Sequence, residues 1–555
     1  MKSGLLAKLI VLSLSVLIIV FFRIMATTIY PKNLDISAIP SFLIHKLFGQ
    51  ESSSRDRMYV RSLRDPDQDK DGLEDSIAEA QIYKTSSKNF NSNGSKISDG
   101  EYIYNLYRKA FESDNEGLLA QYRINLKRYG VKSSPNSMVA SIGGAFLNDS
   151  SNSETPETYD FYVNLPAEIQ VIVKQATDFR LQGNYEKSLE LLQNVLSKNP
   201  NSSIIKYHLG FTYGSLKNYE KALTIYEEIV NDPVVKSPLL YSGLASMSQA
   251  LGKEDKFVEY LELSIKDFPE DLNQYLKLAS YYQRKNELDR AIEILNKGLE
   301  IQPRYADYYN ALGVIAGLKG DKKTELDLYK RAVTYDFRYA PGHFNLSVLY
   351  EQFYDDLNNG LTEARIAFEI DPSPRNLGQV ILLYSKLGNK AKALELENQL
   401  LAMKNIGGGA FNSLGLVYLD QGNYQKAEMY LRKALEAEPR LANIYNNLGA
   451  LLSSTNRSDE AYLAYQKAVE IDPNYTTALL NLGIYHTNKK QYKQAISSFQ
   501  KATDLNPNLS KAYDHLGYIY WLLRDKELSR FYYKKAVELG SKDTSTIENL
   551  KILGE

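Results

Sequence analysis

Small residues and prolines recur along this chain at a fixed interval of 34 residues. The interval separates Pro439, Pro473 and Pro507, and it also separates Pro269 from Pro303. Four glycines keep the same spacing, each directly after a leucine: Gly415, Gly449, Gly483 and Gly517. A fixed period of this length is typical of arrays in which every unit is one small supersecondary element. It therefore predicts a core that extends along the axis of an array.

Each recurring residue has a packing role in a pair of antiparallel helices. A glycine or alanine at the eighth position of a unit lets the second helix approach the first. Alanines of the second helix, such as Ala461 and Ala468, allow the same approach from the other side. Proline ends the second helix because it cannot continue the hydrogen-bond ladder. No single pair buries its apolar face, so we expect neighbouring units to stabilise one another by stacking.

The Leu-Gly pair, a tyrosine near the end of the first helix, the small residues of the second helix and the following proline resemble the tetratricopeptide repeat (TPR). The resemblance implies an all-α protein, a right-handed superhelical α-solenoid of about eleven TPR helix pairs over residues 169–543. The units are predicted to begin at 169, 203, 238, 272, 306, 340, 374, 408, 442, 476 and 510, and we number them one to eleven. Units one, three, five, six and seven are irregular, and the glycines at 407–409 predict a flexible joint between units seven and eight.

In TPR arrays the first helices line a concave groove, and a few positions of each unit tend to face it. The resemblance therefore implies partner-binding residues in this chain: Asn345, Asn412, Asn446, Asn447, Asn481, Lys511 and His515. Asparagine side chains both donate and accept hydrogen bonds, so a row of them suits an extended peptide backbone. Asn345, Asn447 and Asn481 resemble the asparagines in the groove of O-GlcNAc transferases. The alternative is that asparagine is simply common before Leu-Gly in such repeats.

The N-terminus predicts a membrane-directed segment at residues 1–30. Lys2 and Lys8 precede a run from Leu9 to Phe22 in which only two serines are polar. About 18 residues are available, enough for one span of the bilayer. A retained signal anchor with the body of the protein outside the cytoplasm, at the cell surface or in the periplasm, is the favoured interpretation. Cleavage of a signal peptide and secretion is the alternative. Residues 31–64 form the juxtamembrane segment.

Residues 65–101 are rich in alternating carboxylates, a pattern that suits a hard cation with oxygen ligands. The stretch resembles the thrombospondin type 3-like calcium repeat of bacterial surface proteins. That resemblance implies a weak calcium site whose ligands are Asp67, Asp69, Asp71, the Leu73 carbonyl, Asp75 and Glu79. Ala78 stands where the family usually has its bidentate glutamate, which makes Glu79 the substitute. A solvated acidic linker is the alternative.

The remaining segments are assigned by composition. Residues 102–130 carry apolar side chains at helical spacing and are predicted to be helical, and residues 131–168 are rich in serine, asparagine and glycine, as linkers are. Residues 544–555 are predicted to be a C-terminal tail. The chain is thereby divided into an anchor, a spacer, a linker and a long array.

Composition excludes several function classes. The sequence contains 66 Lys+Arg against 67 Asp+Glu and no cysteine, so neither a strong field for nucleic acid nor thiolate chemistry is available. No catalytic constellation or small-molecule site is recognisable. We therefore expect a non-enzymatic, membrane-anchored scaffold that binds protein or peptide partners. The alternatives are a non-catalytic targeting subunit of a protein- or glycan-modifying system, and a calcium-dependent surface adhesin.

Overall fold

A computed structural model describes residues 108, 109, 111, 112 and 165–554. Over 165–554 the chain forms 23 α-helices and no strand. They are α1 Ala167–Leu181, α2 Tyr185–Lys198, α3 Ser203–Ser215, α4 Tyr219–Ile229, α5 Pro238–Ala250, α6 Glu254–Asp267, α7 Leu272–Arg284, α8 Leu288–Ile301, α9 Ala306–Leu318, α10 Lys322–Tyr335, α11 Ala340–Leu349, α12 Leu357–Ile370, α13 Pro374–Lys386, α14 Lys390–Leu401, α15 Gly408–Asp420, α16 Tyr424–Ala437, α17 Ala442–Ser454, α18 Ser458–Ile471, α19 Thr476–Asn488, α20 Tyr492–Leu505, α21 Ser510–Leu522, α22 Lys526–Glu538 and α23 Thr544–Ile552.

Helices α1 to α22 form eleven consecutive pairs, and each pair is one unit. From α3 to α21, every first helix begins at the residue that the 34-residue period predicts. The first unit begins at Ala167, two residues before the predicted start and inside the segment assigned to the linker. The array is an all-helical solenoid over the described residues, in agreement with the predicted fold class.

A tight turn joins the two helices of every unit, and it has the same length in every unit except unit six. One residue of this turn has a positive φ, and glycine occupies that place in units one, three, five, seven and eight. The second helix is then capped in several units by asparagine, as in unit eight, where the Asn423 side chain accepts a hydrogen bond of 3.2 Å from the backbone N–H of Lys426. Such caps satisfy a backbone donor that would otherwise have no partner within the helix.

The residue at the eighth position of each regular unit is matched to one residue of the second helix. A Cβ atom added at Gly449 would lie 2.5 Å from a ring carbon of Tyr465, so the aromatic ring fills the space that the glycine leaves. Five units share this pairing: Gly210 with Tyr226, Gly313 with Tyr329, Gly449 with Tyr465, Gly483 with Phe499, and Gly517 with Tyr533. Where the eighth residue is alanine, a leucine takes the place of the ring: Ala176 with Leu192, Ala245 with Leu261, and Ala279 with Leu295. In these eight units a small residue thus faces a large one, whereas Gly415 of unit eight faces the smaller side chain of Leu431.

Gly449→Ala is expected to destabilise the array by about 2 kcal/mol, because the new methyl group overpacks the contact with Tyr465. Adding Tyr465→Leu removes the ring, and the double variant should be more stable than the sum of the single effects by about 1–2 kcal/mol. Urea unfolding followed by far-UV circular dichroism measures both quantities. Gly409→Ala is the control, because its Cβ would lie 3.6 Å from Arg375, an ordinary contact. Additive costs for Gly449→Ala and Tyr465→Leu would contradict the pairing.

Unit six departs from the regular geometry. Its first helix continues into a π-helical turn at Tyr350–Tyr354, and Asp355 then adopts a left-handed conformation with φ 50°. The turn contains one extra residue, so Gly360 of α12 takes the place at which most other units have alanine. Such π turns inside helices occur frequently at functional sites.

Units seven and eight pack unusually closely. A Cβ atom at Gly378 of α13 would lie 3.1 Å from the Cβ of Ser413, so α13 and α15 approach each other directly. A Cβ atom at Gly408 would lie 2.7 Å from the carbonyl oxygen of Ala434. The backbone N–H of Gly408 also donates a 3.0 Å hydrogen bond to Glu438. Gly378 thus packs between units seven and eight, and Gly408, one of the glycines of the predicted joint, packs within unit eight.

The last helix, α23, lies in the segment that the sequence predicts as a tail. The Asp514 carboxylate of α21 accepts hydrogen bonds from Ser541 and Thr546, the latter at 2.7 Å. Asn549 donates to the Tyr533 hydroxyl at 3.0 Å. These bonds attach α23 to unit eleven, so this helix covers the end of the array.

The solenoid also coils far enough to bring distant units together. The side-chain amide of Asn508, at the end of unit ten, donates a hydrogen bond of 3.2 Å to the carbonyl of Lys319 in unit five. The Asn506 side chain packs against neighbouring Gly320. Units five and ten are thus in direct contact.

Candidate functional site

The first helices of neighbouring units form a continuous surface, which we call the first-helix surface. Asparagines near the start of these helices bond to one another across the unit boundaries. Asn345 Nδ2 donates to Asn310 Oδ1 at 2.8 Å, Asn447 Nδ2 donates to Asn412 Oδ1 at 2.8 Å, and Asn481 Nδ2 donates to Asn446 Oδ1 at 2.9 Å. In each bond the sixth residue of one unit donates to the fifth residue of the unit before it. We call these six residues the asparagine ladder.

The same register recurs where asparagine is absent. Lys277, the sixth residue of unit four, donates to the hydroxyl of Ser242, the fifth residue of unit three. The contact between units six and seven has another register, because Arg375 is the second residue of unit seven: its guanidinium lies 4.0 Å from the ring centroid of Phe344, the fifth residue of unit six. At each of these boundaries the fifth residue of one unit therefore contacts the first helix of the next.

The ladder leaves part of each amide available. One asparagine side chain has two N–H donors and an oxygen with two lone pairs, and each ladder bond uses only one donor or one lone pair. Within the described part of the chain, Asn310 Nδ2 is buried without a hydrogen-bond partner. Asn447 and Asn481 are half-buried, whereas Asn345, Asn412 and Asn446 are at most 9 % exposed. The half-buried pair is thus the part of the ladder most accessible to a ligand.

Two cations on the first-helix surface are enclosed by protein although their side chains reach solvent. The side chains of Lys277 and Arg375 are both exposed to solvent. Burial nevertheless lowers the pKa of Lys277, against the opposing effect of Asp271. Burial also lowers the pKa of Arg375 to about 10, against the opposing effects of Glu438 and Asp371. A carboxylate bound beside these partly desolvated cations would meet fewer competing waters than on an open surface.

The other predicted binding residues lie apart from the ladder, on α21. Lys511 is exposed at the start of this helix. The His515 ring stacks on Phe499, with ring centroids 5.1 Å apart and an angle of 9° between the planes. Burial lowers the pKa of His515, although the nearby Asp514 carboxylate opposes this shift. The structure therefore brings the asparagines together but places Lys511 and His515 at the C-terminal end of the array.

The positional pattern located the asparagines but did not predict that they bond to one another. Lys277 and Arg375 were absent from the predicted binding set. They could have been found by aligning the units and reading the second and sixth positions of every first helix. Their partial desolvation depends on how the units coil, which is not visible in one unit.

The predicted calcium ligands, Asp67, Asp69, Asp71, Leu73, Asp75 and Glu79, lie outside the described residues, as does the predicted membrane anchor at 1–30. Over the described ranges, no three His, Cys, Asp or Glu side chains are grouped so that they could hold a metal ion. No helix in those ranges has the length and apolar character needed to cross a bilayer.

Comparison with known proteins identifies the repeats. The tetratricopeptide repeat family matches residues 173–234, 275–305, 409–474, 476–509 and 510–542. A solved structure with a similar chain is described as "Crystal structure of APC/C hetero-tetramer Cut9-Hcn1". The TM-score is 0.34 and the sequence identity 14%, over 70% of this chain and 90% of that one.

Curated relatives match parts of the array. The BBSome complex member BBS4 of Bos taurus is 24% identical over 277 residues, which are 49% of this chain and 52% of the relative. The mitochondrial import receptor subunit TOM70 of Homo sapiens is 25% identical over 131 residues, 23% of this chain and 21% of the relative. This chain thus spans about half the length of the first relative and about a fifth of the second. The solenoid is an array of helix pairs that contains tetratricopeptide repeats.

Proposed function

We propose that this protein is a non-catalytic scaffold that binds an extended segment of a partner protein along its first-helix surface. The observation that carries the proposal is the asparagine ladder, whose three bonds of 2.8 to 2.9 Å repeat one register in different parts of the array. An extended peptide presents backbone donors and acceptors at regular intervals. A row of amides fixed at unit intervals is complementary to such a backbone.

The ladder also lowers the cost of binding. Each ladder bond orients an amide, so the remaining donor and lone pairs of Asn447 and Asn481 already have fixed directions before a ligand arrives. A binding surface that is ordered in advance loses less side-chain entropy on association than a mobile one. Lys277 and Arg375 add positive charge to the same surface, and we therefore propose partner segments that carry acidic residues. Lys511 and His515 would contact the partner only if it extends to unit eleven.

The relatives support the proposal at a coarse level. One is named as a member of a protein complex and another as a subunit of an import receptor. Both names describe proteins that act together with other proteins. We carry over to this chain only that general mode of action, binding without catalysis.

From the sequence we further propose that the protein is anchored in a membrane and that it binds calcium. The apolar run at Leu9–Phe22 supports a membrane anchor with the array outside the cytoplasm, and the carboxylates at Asp67–Asp75 support a calcium-stiffened spacer between anchor and array. Protease digestion of intact cells should then cleave the array. Isothermal titration with calcium chloride should give heat that disappears when Asp69 and Asp71 are both replaced by asparagine. An array protected from protease, or unchanged calcium heat, would contradict these two points.

Asn447→Ala combined with Asn481→Ala is expected to weaken peptide binding about tenfold for each direct hydrogen bond that is lost. The probe is a set of peptides selected on the intact protein from a phage-displayed random library, and fluorescence polarisation measures their affinity. Asn488→Ala, an exposed substitution at the end of α19, is the control. Selected peptides that bind the double variant and the control equally well would place the binding surface elsewhere.

A further inference from the structure

Unit six carries a second surface, on its second helix, that the proposed function does not use. Residues 108, 109, 111 and 112 are helical and lie against α12, about 250 positions further along the chain. The contact coincides with the one unit that contains a π turn, an extra residue and Gly360 in place of alanine. The irregularity of unit six and the docked segment therefore occur at the same place.

Arg108 makes the polar part of this contact. One terminal nitrogen of its guanidinium donates to Asn359 Oδ1, and the other lies 3.5 Å from Glu363 Oε1. The same guanidinium bonds to Glu112 within its own segment at 2.9 Å. The Arg108 side chain is only 17% exposed. A partly buried arginine that bonds to three side chains is held in one orientation by the fork geometry of its guanidinium.

Glu363 connects this arginine to the first helix of unit six. Its side chain is fully buried, and Oε2 lies 2.7 Å from Nδ1 of His343, which is also fully buried. The other ring nitrogen of His343 lies 2.9 Å from the carbonyl oxygen of Phe337 and must donate, because a carbonyl only accepts. A carboxylate in such surroundings needs compensating partners, and Arg108 supplies a positive charge from outside the array.

Phe111 makes the apolar part of the contact. Its side chain is 3% exposed. The guanidinium of Arg365 on α12 lies 5.5 Å from the Phe111 ring centroid and donates a 3.2 Å hydrogen bond to the Phe111 carbonyl. The contact is reciprocal, because an arginine of the segment binds α12 and an arginine of α12 binds the segment.

We propose that α12 is a docking site for a helical segment that carries arginine and phenylalanine three residues apart, and that residues 108–112 of this chain occupy it in cis. The occupied site joins the region before the array to the middle of the array. It also places the Arg108 guanidinium 3.5 Å from the buried Glu363 carboxylate. A lysine in place of Arg108 cannot bond to both Asn359 and Glu363 in the same planar geometry. The site therefore distinguishes arginine from lysine.

Paired cysteines in the full-length chain test the contact, because the natural sequence has none and the background is clean. Lys109→Cys with Asn358→Cys, both exposed positions next to the contact residues, should be joined by a short bismaleimide and migrate faster on a denaturing gel. Adding Arg108→Ala or Phe111→Ala should lower the cross-linked fraction at limiting reagent about tenfold, and Arg108→Lys should lower it less. The control pair is Lys109→Cys with Lys198→Cys, an exposed position in unit one.

A peptide spanning residues 102–117 provides a second measurement. The fluorescein-labelled peptide should bind the full-length Arg108→Ala, Phe111→Ala double variant at least about tenfold more tightly than it binds the natural chain, whose site is occupied. The same peptide with alanine at 108 and 111 should not bind. Far-UV circular dichroism checks that the double variant keeps its helices. Cross-linking that is insensitive to Arg108→Ala, equal cross-linking of the control pair, or equal peptide binding by both chains would each overturn the proposal.

Discussion

Glu397→Ala is expected to destabilise the solenoid by about 3–4 kcal/mol, because it removes the acceptor of two buried tyrosine hydroxyls. Glu397 lies on α14 and is only 6% exposed. Its carboxylate accepts hydrogen bonds of 2.8 Å from Tyr418 and 2.9 Å from Tyr430, both of unit eight. Burial, together with the hydrogen bond to Glu397, raises the pKa of Tyr418 to about 12. One side chain thus joins units seven and eight.

The expected loss follows from what the alanine leaves behind. Both tyrosines are less than 9% exposed, so their hydroxyls cannot fully exchange the lost acceptor for water. Urea unfolding at neutral pH measures the effect, and Glu397→Gln, which keeps an acceptor oxygen, should recover about half of it. Glu395→Ala is the matched control, because that carboxylate is 66% exposed and pairs only with Lys392 at the surface. A loss for Glu397→Ala no larger than the loss for Glu395→Ala would show that this buried contact contributes little.

Acidification is expected to weaken unit two through His208. Burial, with a smaller contribution from Arg180, lowers the pKa of His208 to about 4 from an ordinary value of 6.5. Above pH 6.5 the imidazole is neutral in both the folded and the unfolded chain, so its full stability is present. As the pH falls from 6.5 towards 4, the unfolded chain binds a proton that the folded chain resists, and stability decreases. Between pH 7 and pH 4.5 the loss should be about 2.5 kcal/mol.

Replacement of His208 separates its effect from that of the titrating carboxylates. His208→Gln should reduce the difference in unfolding free energy between pH 7 and pH 4.5 by about 2.5 kcal/mol, whatever its effect at pH 7. Asn488→Ala, an exposed substitution of a side chain that does not titrate, is the control and should leave the difference unchanged. Hydrogen exchange of the α3 amides at both pH values localises the effect. An identical pH dependence in the natural chain and His208→Gln would show that His208 does not carry it.

The period of the sequence predicted most of the fold, because a repeated packing problem has a repeated solution. The first helices of units two to eleven begin at the predicted residues, including those of the irregular units three, five, six and seven. In eight of the aligned units glycine is paired with an aromatic ring or alanine with leucine, but the reason for this pairing becomes clear only when the two positions are known to be in contact. The π turn of unit six could not be predicted, since a single extra residue has no periodic signal.

For the candidate sites too, some features were predicted from the sequence and others are visible only in the structure. Asn412, Asn446, Asn447 and Asn481 were identified by their positions in the units, but their mutual bonds follow from the stacking of neighbouring first helices. The docking of Arg108 and Phe111 on α12 joins residues about 250 positions apart, and no sequence motif around either residue indicates its partner. The predicted calcium ligands and membrane anchor remain predictions from sequence.

The sequence by itself determined the architecture of the array. It specified the helix pairs, the length of each unit, the places of the turns, and the small residues at which the two helices of a unit approach each other. These properties depend on neighbours within about 34 residues, and short-range packing repeats with the sequence. Only the tertiary structure decided which side chains meet over longer distances, as in the contacts of unit five with unit ten and of the 108–112 segment with unit six. Such contacts depend on the summed rotation of many units, so small changes in each unit displace them, and the sequence of one unit does not contain them.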